Sequence, residues 1–389
     1  MTNPEIGSIQ GYVASGFERV QQAFEKNFEV GTECPEVGAA VCMTHHGEVV
    51  VDLYGGFADA AKSQPWQQDT IVNTFSTTKG IAASCIAILE SQGLLDYARP
   101  VSHYWPEFAA CGKQDITVAM LLSHQAGLSG LRTPLTIDDL FDWERIIHLL
   151  ESAEPLWTPG TISGYHAITW GFLSGELIRR VTGGVHLRDF LQQEVAGPLA
   201  ANYHIGVPEN LTGSIAEMIA PLGEPVQTLA EMTEILTLTL GNPLIEAEVA
   251  NRLDFQTAEL AALNGTGSAA GIAAIYAVLA NEGQYLGNRL MNQAAIDRAM
   301  EPQFIGIDMN LGTDVRWGAA GYFGNNPKQW YGPNGGAFGH SGWGGSMGYA
   351  DPKASVSVGY VLNQMDANLN GDPRGIRLVD ALYKSLANL

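Results

Sequence analysis

The sequence predicts an α+β fold in which the two ends of the chain build one antiparallel sheet. Two β-rich runs, residues 37–43 and 48–54, lie near the N-terminus and are separated by a His-His-Gly turn. Between about residues 96 and 282 the pattern is mostly helical. Short alternating or apolar runs then return near the C-terminus, at residues 337–343, 346–350 and 355–362.

These runs predict two domains. Residues 1–95 and 285–389 would form a discontinuous sheet domain, and residues 96–284 a mostly helical domain packed against it. Terminal helices are predicted over residues 11–28 and from Asp372 onward, where apolar residues recur at helical spacing, and these helices would flank the sheet. We expect the active site at the interface of the two domains.

The charge balance limits the classes of partner. The 389 residues contain 20 Lys and Arg against 41 Asp and Glu, a net charge of −21. A chain this acidic repels nucleic acids and anionic membrane surfaces. We therefore expect neither as a partner, and the sequence does not indicate an oligomeric state.

The expected location is the cytoplasm. The first eight residues lack the basic segment and apolar core of a secretory signal, and no stretch approaches the roughly twenty apolar residues of a membrane span. The four cysteines have no Cys-x-x-Cys spacing and are expected to be reduced core thiols.

A candidate nucleophile and its base lie three residues apart. Ser76 and Lys79 precede a long apolar stretch that reaches Leu89, which predicts a helix beginning at Ser76. Residues three apart share a helix face, so the two side chains can touch. A serine hydroxyl needs a base, and a desolvated lysine with a lowered pKa can serve. By itself the pattern also fits a capping serine and a surface lysine, but no charged residue follows Lys79 until Glu90.

Three further segments follow this one along the chain, and the order of the four is informative. They read LLSHQAGL at residues 121–128, WTPGTISGYHA at 157–167 and FGHSGWGG at 338–345. Together with the Ser-x-x-Lys run they resemble the serine β-lactamase and penicillin-binding-protein superfamily, most closely the family VIII carboxylesterases. The resemblance covers the chain from about Val37 to its end and implies a serine β-lactamase/transpeptidase-like fold. It implies a serine hydrolase that acts on small-molecule esters through an acyl-enzyme.

The resemblance also assigns catalytic roles. Ser76 matches the acylated serine, Lys79 the lysine of the Ser-x-x-Lys motif, and Tyr165 the tyrosine of the family's Tyr-x-Asn signature. A tyrosinate or a neutral Lys79 can take the Ser76 proton, and the pair can then protonate the leaving alcohol and activate the deacylating water. Which of the two is the base stays open.

The resemblance places the substrate-binding strand near the C-terminus. His340, Ser341 and Gly342 match the Lys-Thr-Gly strand of the lactamases. The backbone N–H of Trp343 would then form the oxyanion hole with that of Ser76, and its side chain would line the substrate pocket.

Two departures from the lactamase pattern favour a neutral ester over a charged lactam. Ala167 stands where the family has an asparagine that contacts the amide side chain of the substrate. His340 replaces a lysine, which weakens the cationic anchor for a lactam carboxylate because histidine is mostly neutral at neutral pH. His340 is either a functional hydrogen-bond donor or a structural histidine of the strand.

A second serine motif is a decoy. Residues 344–348 read GGSMG and fit the Gly-x-Ser-x-Gly elbow of α/β-hydrolases around Ser346. The elbow requires a helix after the serine and a later histidine, whereas strand-like residues follow here and His340 is the last histidine of the chain.

Together these observations predict a serine carboxylesterase that acts on short-chain esters. No spacing of His, Asp and Glu indicates a metal site, and no cofactor is expected. The alternatives within the same fold are a β-lactamase, a D-amino-acid peptidase or amidase, and an acyltransferase, since all use the same nucleophile, base and oxyanion hole. An alternative of another class is a catalytically silent binding protein.

Overall fold

The computed structural model describes residues 8–222, 232–326, 328, 330–367 and 371–389. Residues 1–7, which carry most of the segment examined for a secretory signal, lie outside this range. Within it, no helix is long and apolar enough to cross a membrane.

One large antiparallel sheet dominates the described part of the chain. Its strand order is β1-β3-β2-β14-β13-β12-β11-β10-β9, and two small sheets, β4-β6-β5 and β7-β8, stand beside it. In chain order the strands are β1 (Gln10–Val13), β2 (Gly38–His45), β3 (Glu48–Gly56), β4 (Val72–Asn73), β5 (Tyr203–Ile205), β6 (Gly265–Gly267), β7 (Gln284–Tyr285), β8 (Asn288–Arg289), β9 (Pro302–Ile307), β10 (Asp314–Gly318), β11 (Phe323–Gly324), β12 (Phe338–Ser341), β13 (Met347–Asp351) and β14 (Val356–Leu362).

The two ends of the chain meet at the centre of this sheet. β2 and β14 are antiparallel neighbours, with Ala39 opposite Leu362 and His45 opposite Val356. Both strands are buried along almost their whole length, so each has helices or loops on both faces. The last strand of the chain, β14, therefore joins the N-terminal strands of the sheet to its C-terminal strands.

The helices lie on both faces of the sheet and beyond it. They are α1 (Glu18–Asn27), α2 (Thr77–Ser91), α3 (Val118–Leu122), α4 (Trp143–Ser152), α5 (Thr169–Val181), α6 (Leu187–Leu191), α7 (Glu234–Leu240), α8 (Leu253–Thr257), α9 (Ala269–Ala280), α10 (Gln293–Ala299) and α11 (Pro373–Leu386).

Two neighbouring residues of β14 show which helices cover which face. A Cβ on Gly359 would lie 2.1 Å from Ala269 O, so α9 approaches the backbone of β14 at a distance that only glycine allows. The hydroxyl of Tyr360, the next residue, lies 3.4 Å from Asn27 Nδ2 of α1. Successive strand residues point to opposite faces, so α9 covers one face and the packed pair α1 and α11 the other.

Helix α2 is surrounded by protein. Every residue from Thr77 to Leu89 is buried, which explains why the segment carries no charge other than Lys79 until Glu90. The helix packs against α5 on one side and against β12 on the other. It therefore carries residues of the Ser76 motif directly to the strand of the His340 motif.

Several sequence predictions about elements need correction. Residues 11–13, expected to open the first helix, instead belong to an edge strand paired with β3, and α1 begins only at Glu18. Strands β9, β10 and β11 have no counterpart in the predicted pattern. Cys111 is exposed rather than a core thiol, whereas the other three cysteines are buried and unpaired as expected.

The division into two domains stays a prediction. The packing of α9 bears on its boundary, because this helix, expected in the helical domain, lies against β2, β13 and β14 of the sheet. A boundary before residue 269 therefore agrees better with the contacts than one at residue 284.

Candidate active site

Ser76 stands at the entry to α2, on a strained turn. It is the N-cap residue, but its hydroxyl makes no capping hydrogen bond, so the alternative of a simple capping serine fails. Phe75 directly before it has a φ of 41°, in the left-handed region that bulky residues rarely adopt. The Phe75 N–H donates to Asn73 Oδ1 at 2.9 Å, and Asn73 Nδ2 donates to Leu263 O at 3.1 Å. Asn73 thus holds the turn that presents Ser76.

Lys79 lies beside Ser76 without an acidic partner. Its Nζ lies 3.1 Å from Ser76 Oγ, and it donates to Ala167 O at 2.8 Å and to Ala262 O at 3.1 Å. The side chain is fully buried, and within the described residues it takes part in no ion pair. Burial lowers the pKa of Lys79 well below its ordinary value, since no carboxylate compensates the loss of water. The amine is thereby suited to accept the Ser76 proton.

Tyr165 completes the group from the segment before α5. Its ring centroid is 4.8 Å from Lys79 Nζ. Burial raises the pKa of Tyr165, the nearby Ser76 side chain opposes this shift, and the negative charge of Asp308 adds to it. The phenol therefore keeps its proton at neutral pH, and of the two candidate bases the structure favours a neutral Lys79 over a tyrosinate.

The turn after β12 carries the second expected oxyanion donor. Gly345 N–H donates to Gly342 O at 3.0 Å, which closes a β-turn with Trp343 in its second position. Gly344, in the third position, has a φ of 95°, a conformation suited to glycine. The backbone N–H groups of Ser76 and Trp343 are not used by the hydrogen bonds that the described residues make with one another. Both amides are thus free to bind an oxyanion.

Ser346 joins this turn to the start of α2. Its Oγ donates to Thr74 O at 2.8 Å and lies 3.0 Å from Thr77 Oγ1. A Cβ on Gly342 would lie 2.1 Å from Thr74 O, so the two segments touch backbone to backbone. Ser346 is buried, and strand β13 rather than a helix follows it, which agrees with rejecting the hydrolase elbow.

His340 is buried and neutral. Burial, and next the proximity of Lys79, lower the pKa of His340 to about 3. Its Nδ1 is 2.8 Å from Ser341 O, and because a carbonyl only accepts, Nδ1 carries the proton and Nε2 a lone pair. The proposed donor role of His340 does not fit this tautomer. Ser341 is half-buried.

The Trp343 side chain is half-buried and packs on the residue before the nucleophile. Its ring centroid is 5.2 Å from that of Phe75, in a tilted arrangement. Part of the ring is exposed beside the Ser76 turn.

His124 supports the opposite side of Tyr165. Its ring centroid lies 4.8 Å from the Tyr165 ring, and its Nδ1 accepts the His166 N–H at 3.0 Å. Burial lowers the pKa of His124 well below its ordinary value. The residue is therefore a neutral packing partner of Tyr165.

Three residues of the site have no motif in the sequence. Ala262 contributes only a backbone carbonyl to Lys79, so no side-chain pattern can reveal it. Asp308 accepts the Tyr165 N–H at 2.9 Å from a position 143 residues further along the chain. Asn73 lies three residues before Ser76, outside the Ser-x-x-Lys motif. Within the described ranges, no group of three or more His, Cys, Asp or Glu side chains has the arrangement of a metal site.

Comparisons with known proteins place this geometry in a family. The beta-lactamase family model matches residues 24–382, so the chain belongs to the β-lactamase family. A solved structure of a family VIII carboxylesterase is 43% identical, with a TM-score of 0.92, and the match covers 97% of this chain and 100% of that one. A penicillin-binding protein homologue from Caulobacter crescentus is 38% identical, with a TM-score of 0.92 over the same shares of the two chains.

A curated relative is similar over most of its length as well. The esterase/beta-lactamase LipL of Mycobacterium tuberculosis is 34% identical over 342 residues, which cover 84% of this chain and 77% of LipL. These likenesses confirm the predicted fold class and the resemblance to family VIII carboxylesterases.

Proposed function

We propose that this protein is a serine carboxylesterase that hydrolyses short-chain esters through an acyl-enzyme on Ser76. The observation that carries the proposal is the 3.1 Å contact between Ser76 Oγ and the buried, unpaired Lys79 Nζ. The relatives named as esterases or carboxylesterases support an ester substrate.

The acylation step starts with Lys79 neutral and with Ser76 and Tyr165 protonated. Neutral Lys79 takes the Ser76 proton while Oγ attacks the ester carbonyl carbon, and the amides of Ser76 and Trp343 stabilise the resulting oxyanion. When the bond to the alcohol breaks, the Tyr165 phenol gives its proton to the leaving oxygen. Protonated Lys79 then returns a proton to Tyr165, so the pair ends as it began.

Deacylation repeats these steps with water. Water attacks the acyl carbonyl and passes a proton to Lys79, and Ser76 leaves as the tetrahedral intermediate collapses. Ser76 regains its proton through the same pair, and the carboxylic acid is released. No step uses a charge on His340.

Replacing Ser76 tests the proposal directly. Ser76→Ala should lower kcat on p-nitrophenyl butyrate by about three orders of magnitude or more, because only the attacking oxygen is lost. The wild-type protein should show a burst of nitrophenol and a butyryl mass shift on Ser76, and unchanged circular dichroism of the variant controls for folding. Retention of more than a few per cent of the activity, or an unlabelled Ser76, contradicts the assignment.

The preference for esters over lactams follows from Ala167 and neutral His340. A charge-assisted hydrogen bond to a lactam carboxylate is worth about 1.5–3 kcal/mol, so its absence lowers transition-state binding by about ten- to a hundred-fold. We expect high kcat/KM on p-nitrophenyl butyrate and weak or no turnover of nitrocefin. The double variant His340→Lys, Ala167→Asn should narrow the gap.

β-Lactam hydrolysis is the second candidate activity, because the LipL relative is named for both activities. If the unmutated protein hydrolyses nitrocefin as efficiently as the ester, this second candidate is the correct one.

A further inference from the structure

Asp308 is a buried carboxylate that the catalytic steps above do not use. It follows β9 directly, its side chain is fully buried, and within the described residues it takes part in no ion pair. A buried charge without a cation must be satisfied by hydrogen bonds, since its desolvation is otherwise too costly. The donors that satisfy Asp308 therefore indicate what it holds in place.

Two of the four donors to this carboxylate belong to the Tyr165 segment, and the other two to the loop that carries Asp308. Oδ1 accepts the backbone N–H of Tyr165 at 2.9 Å and those of Asn310 and Leu311, each at 3.0 Å. Oδ2 accepts the hydroxyl of Ser163 at 2.5 Å. One carboxylate thus ties two residues of the Tyr165 segment to the loop after β9.

The same loop also holds the other side of the Tyr165 backbone. Asn310 Nδ2 donates to Tyr165 O at 3.1 Å, and Met309 N–H donates to Ser163 O at 2.9 Å. Both polar groups of the Tyr165 main chain therefore bond to residues 308–310. Nothing in the 163–167 segment needs this arrangement for secondary structure, because α5 begins only at Thr169.

We propose that Asp308 is a positioning residue that holds Tyr165 where it protonates the departing alcohol, an inference that rests on the proposed function. A fixed proton donor within hydrogen-bond reach of the leaving oxygen is what general acid catalysis requires, and displacement by about an ångström is enough to lose much of the rate. The charge of Asp308 acts in the same direction. Burial raises the pKa of Tyr165 first, and the nearby carboxylate raises it further, which keeps the phenol protonated.

Two esters that share an acyl group but differ in the leaving group distinguish this role from a general structural one. Nitrophenolate leaves without a proton, whereas ethoxide needs one. Asp308→Ala should therefore lower kcat/KM on ethyl butyrate at least about tenfold more than on p-nitrophenyl butyrate. Asp308→Asn should recover most of the ethyl butyrate activity at neutral pH, because its amide oxygen can accept the three N–H groups and its amide nitrogen can donate to Ser163 Oγ.

Two further variants complete the experiment. Asn310→Ala removes the donor to Tyr165 O and should show the same leaving-group selectivity to a smaller extent, which keeps the test decisive if Asp308→Ala does not fold. Asp314→Ala, an exposed carboxylate at the start of β10, is the matched control and should change neither substrate.

The outcomes distinguish the two levels of inference. Equal losses on both esters, or no loss, in Asp308→Ala and Asn310→Ala overturn the positioning role while leaving the esterase proposal intact. A wild-type protein that releases nitrophenol without acylating Ser76 instead contradicts the proposed function, and the role of Asp308 with it.

Discussion

Lys79 and Arg374 are both basic side chains that are buried from solvent, but their surroundings differ. Lys79 contacts only carbonyl and hydroxyl oxygens, whereas Arg374 Nη1 lies 3.0 Å from Glu36 and Arg374 Nη2 lies 2.5 Å from Asp372. Burial acts to lower both pKa values, but the two carboxylates outweigh burial at Arg374 and raise its pKa well above the ordinary value. Pairing with carboxylates thus keeps Arg374 a permanent cation, whereas the lowered pKa of the unpaired Lys79 suits it to the proposed role of a base.

The two side chains lie near different donors of the proposed oxyanion hole. Lys79 lies one helical turn from Ser76, and Arg374 Nη2 donates to Gly344 O at 2.9 Å in the turn that carries Trp343. Arg374 Nη1 also donates to Gln364 O at 2.9 Å. We therefore expect substitutions of Lys79 to affect chemistry more than stability, and substitutions of Arg374 to do the reverse.

The largest expected effect is the loss of catalysis when the unpaired Lys79, or Tyr165 beside it, is replaced. Lys79→Met and Tyr165→Phe should each lower kcat/KM on ethyl butyrate by about a thousandfold or more, because the two residues transfer protons as a unit. The double variant should be little worse than either single variant. A double variant whose defect equals the product of the single defects would show that the two residues act independently.

Replacing the paired Arg374 should instead lower the stability of the fold. Arg374→Met leaves Glu36 and Asp372 buried without a cation, so the free energy of unfolding should fall by about 3–5 kcal/mol. Urea denaturation of Arg374→Met and Lys79→Met side by side measures the contrast. Arg298→Met, which breaks a partly exposed pair with Glu90, is the control and should cost about 1 kcal/mol or less. Equal losses in Arg374→Met and Arg298→Met would contradict the comparison.

Ser346 joins the start of α2 to the turn after β12. Replacing it should have a smaller effect than replacing Lys79 or Arg374. Ser346→Ala removes the donor to the buried Thr74 carbonyl, which costs about 1–3 kcal/mol of stability. We also expect a fall of roughly tenfold in kcat with little change in KM, because the hydroxyl positions both oxyanion donors and does not bind substrate. Ser346→Thr, which keeps a hydroxyl, tests whether the donor is the cause. A rise in KM alone would argue against this role.

The smallest effect concerns the pH dependence of stability. The folded chain holds Lys79 with a lowered pKa, so below the ordinary lysine value the unfolded chain binds a proton that the folded chain does not. Stability from this group therefore increases as the pH rises toward about 10. Relative to Lys79→Met, the wild-type free energy of unfolding should increase between about pH 7 and about pH 9.5. A difference that is constant across this range would mean that Lys79 stays charged in the folded protein.

The sequence alone predicted much of the nucleophile side. Ser76 and Lys79 share one helical turn, so their contact follows from spacing, and the absence of charges after Lys79 indicated that the helix is buried. The roles of Tyr165 and Trp343 followed from family resemblance, and the proposed roles stay predictions, although the structure brings Tyr165 to Ser76 and the Trp343 turn to Thr74.

Other features were beyond the reach of sequence patterns. Strands β9, β10 and β11 were missed because they are short or form one exposed edge, where the apolar alternation is weak. Residues 11–13 were assigned to a helix because their edge pairing with β3 has no local signal. The backbone carbonyl of Ala262 accepts from Lys79 Nζ, and the carboxylate of Asp308 accepts from the backbone N–H of Tyr165. Both contacts join distant parts of the chain.

What the sequence by itself determined is the local chemistry: a serine and a lysine on one helix face, in a segment too apolar to face water. What only the tertiary structure decided is the charge state of that chemistry. Lys79 is suited to be a base because its amine meets the carbonyls of Ala167 and Ala262 and, among the described residues, pairs with no carboxylate. Whether a buried amine meets oxygen dipoles or an anion depends on how distant segments pack, and the energy of a buried charge depends on that choice more than on anything else.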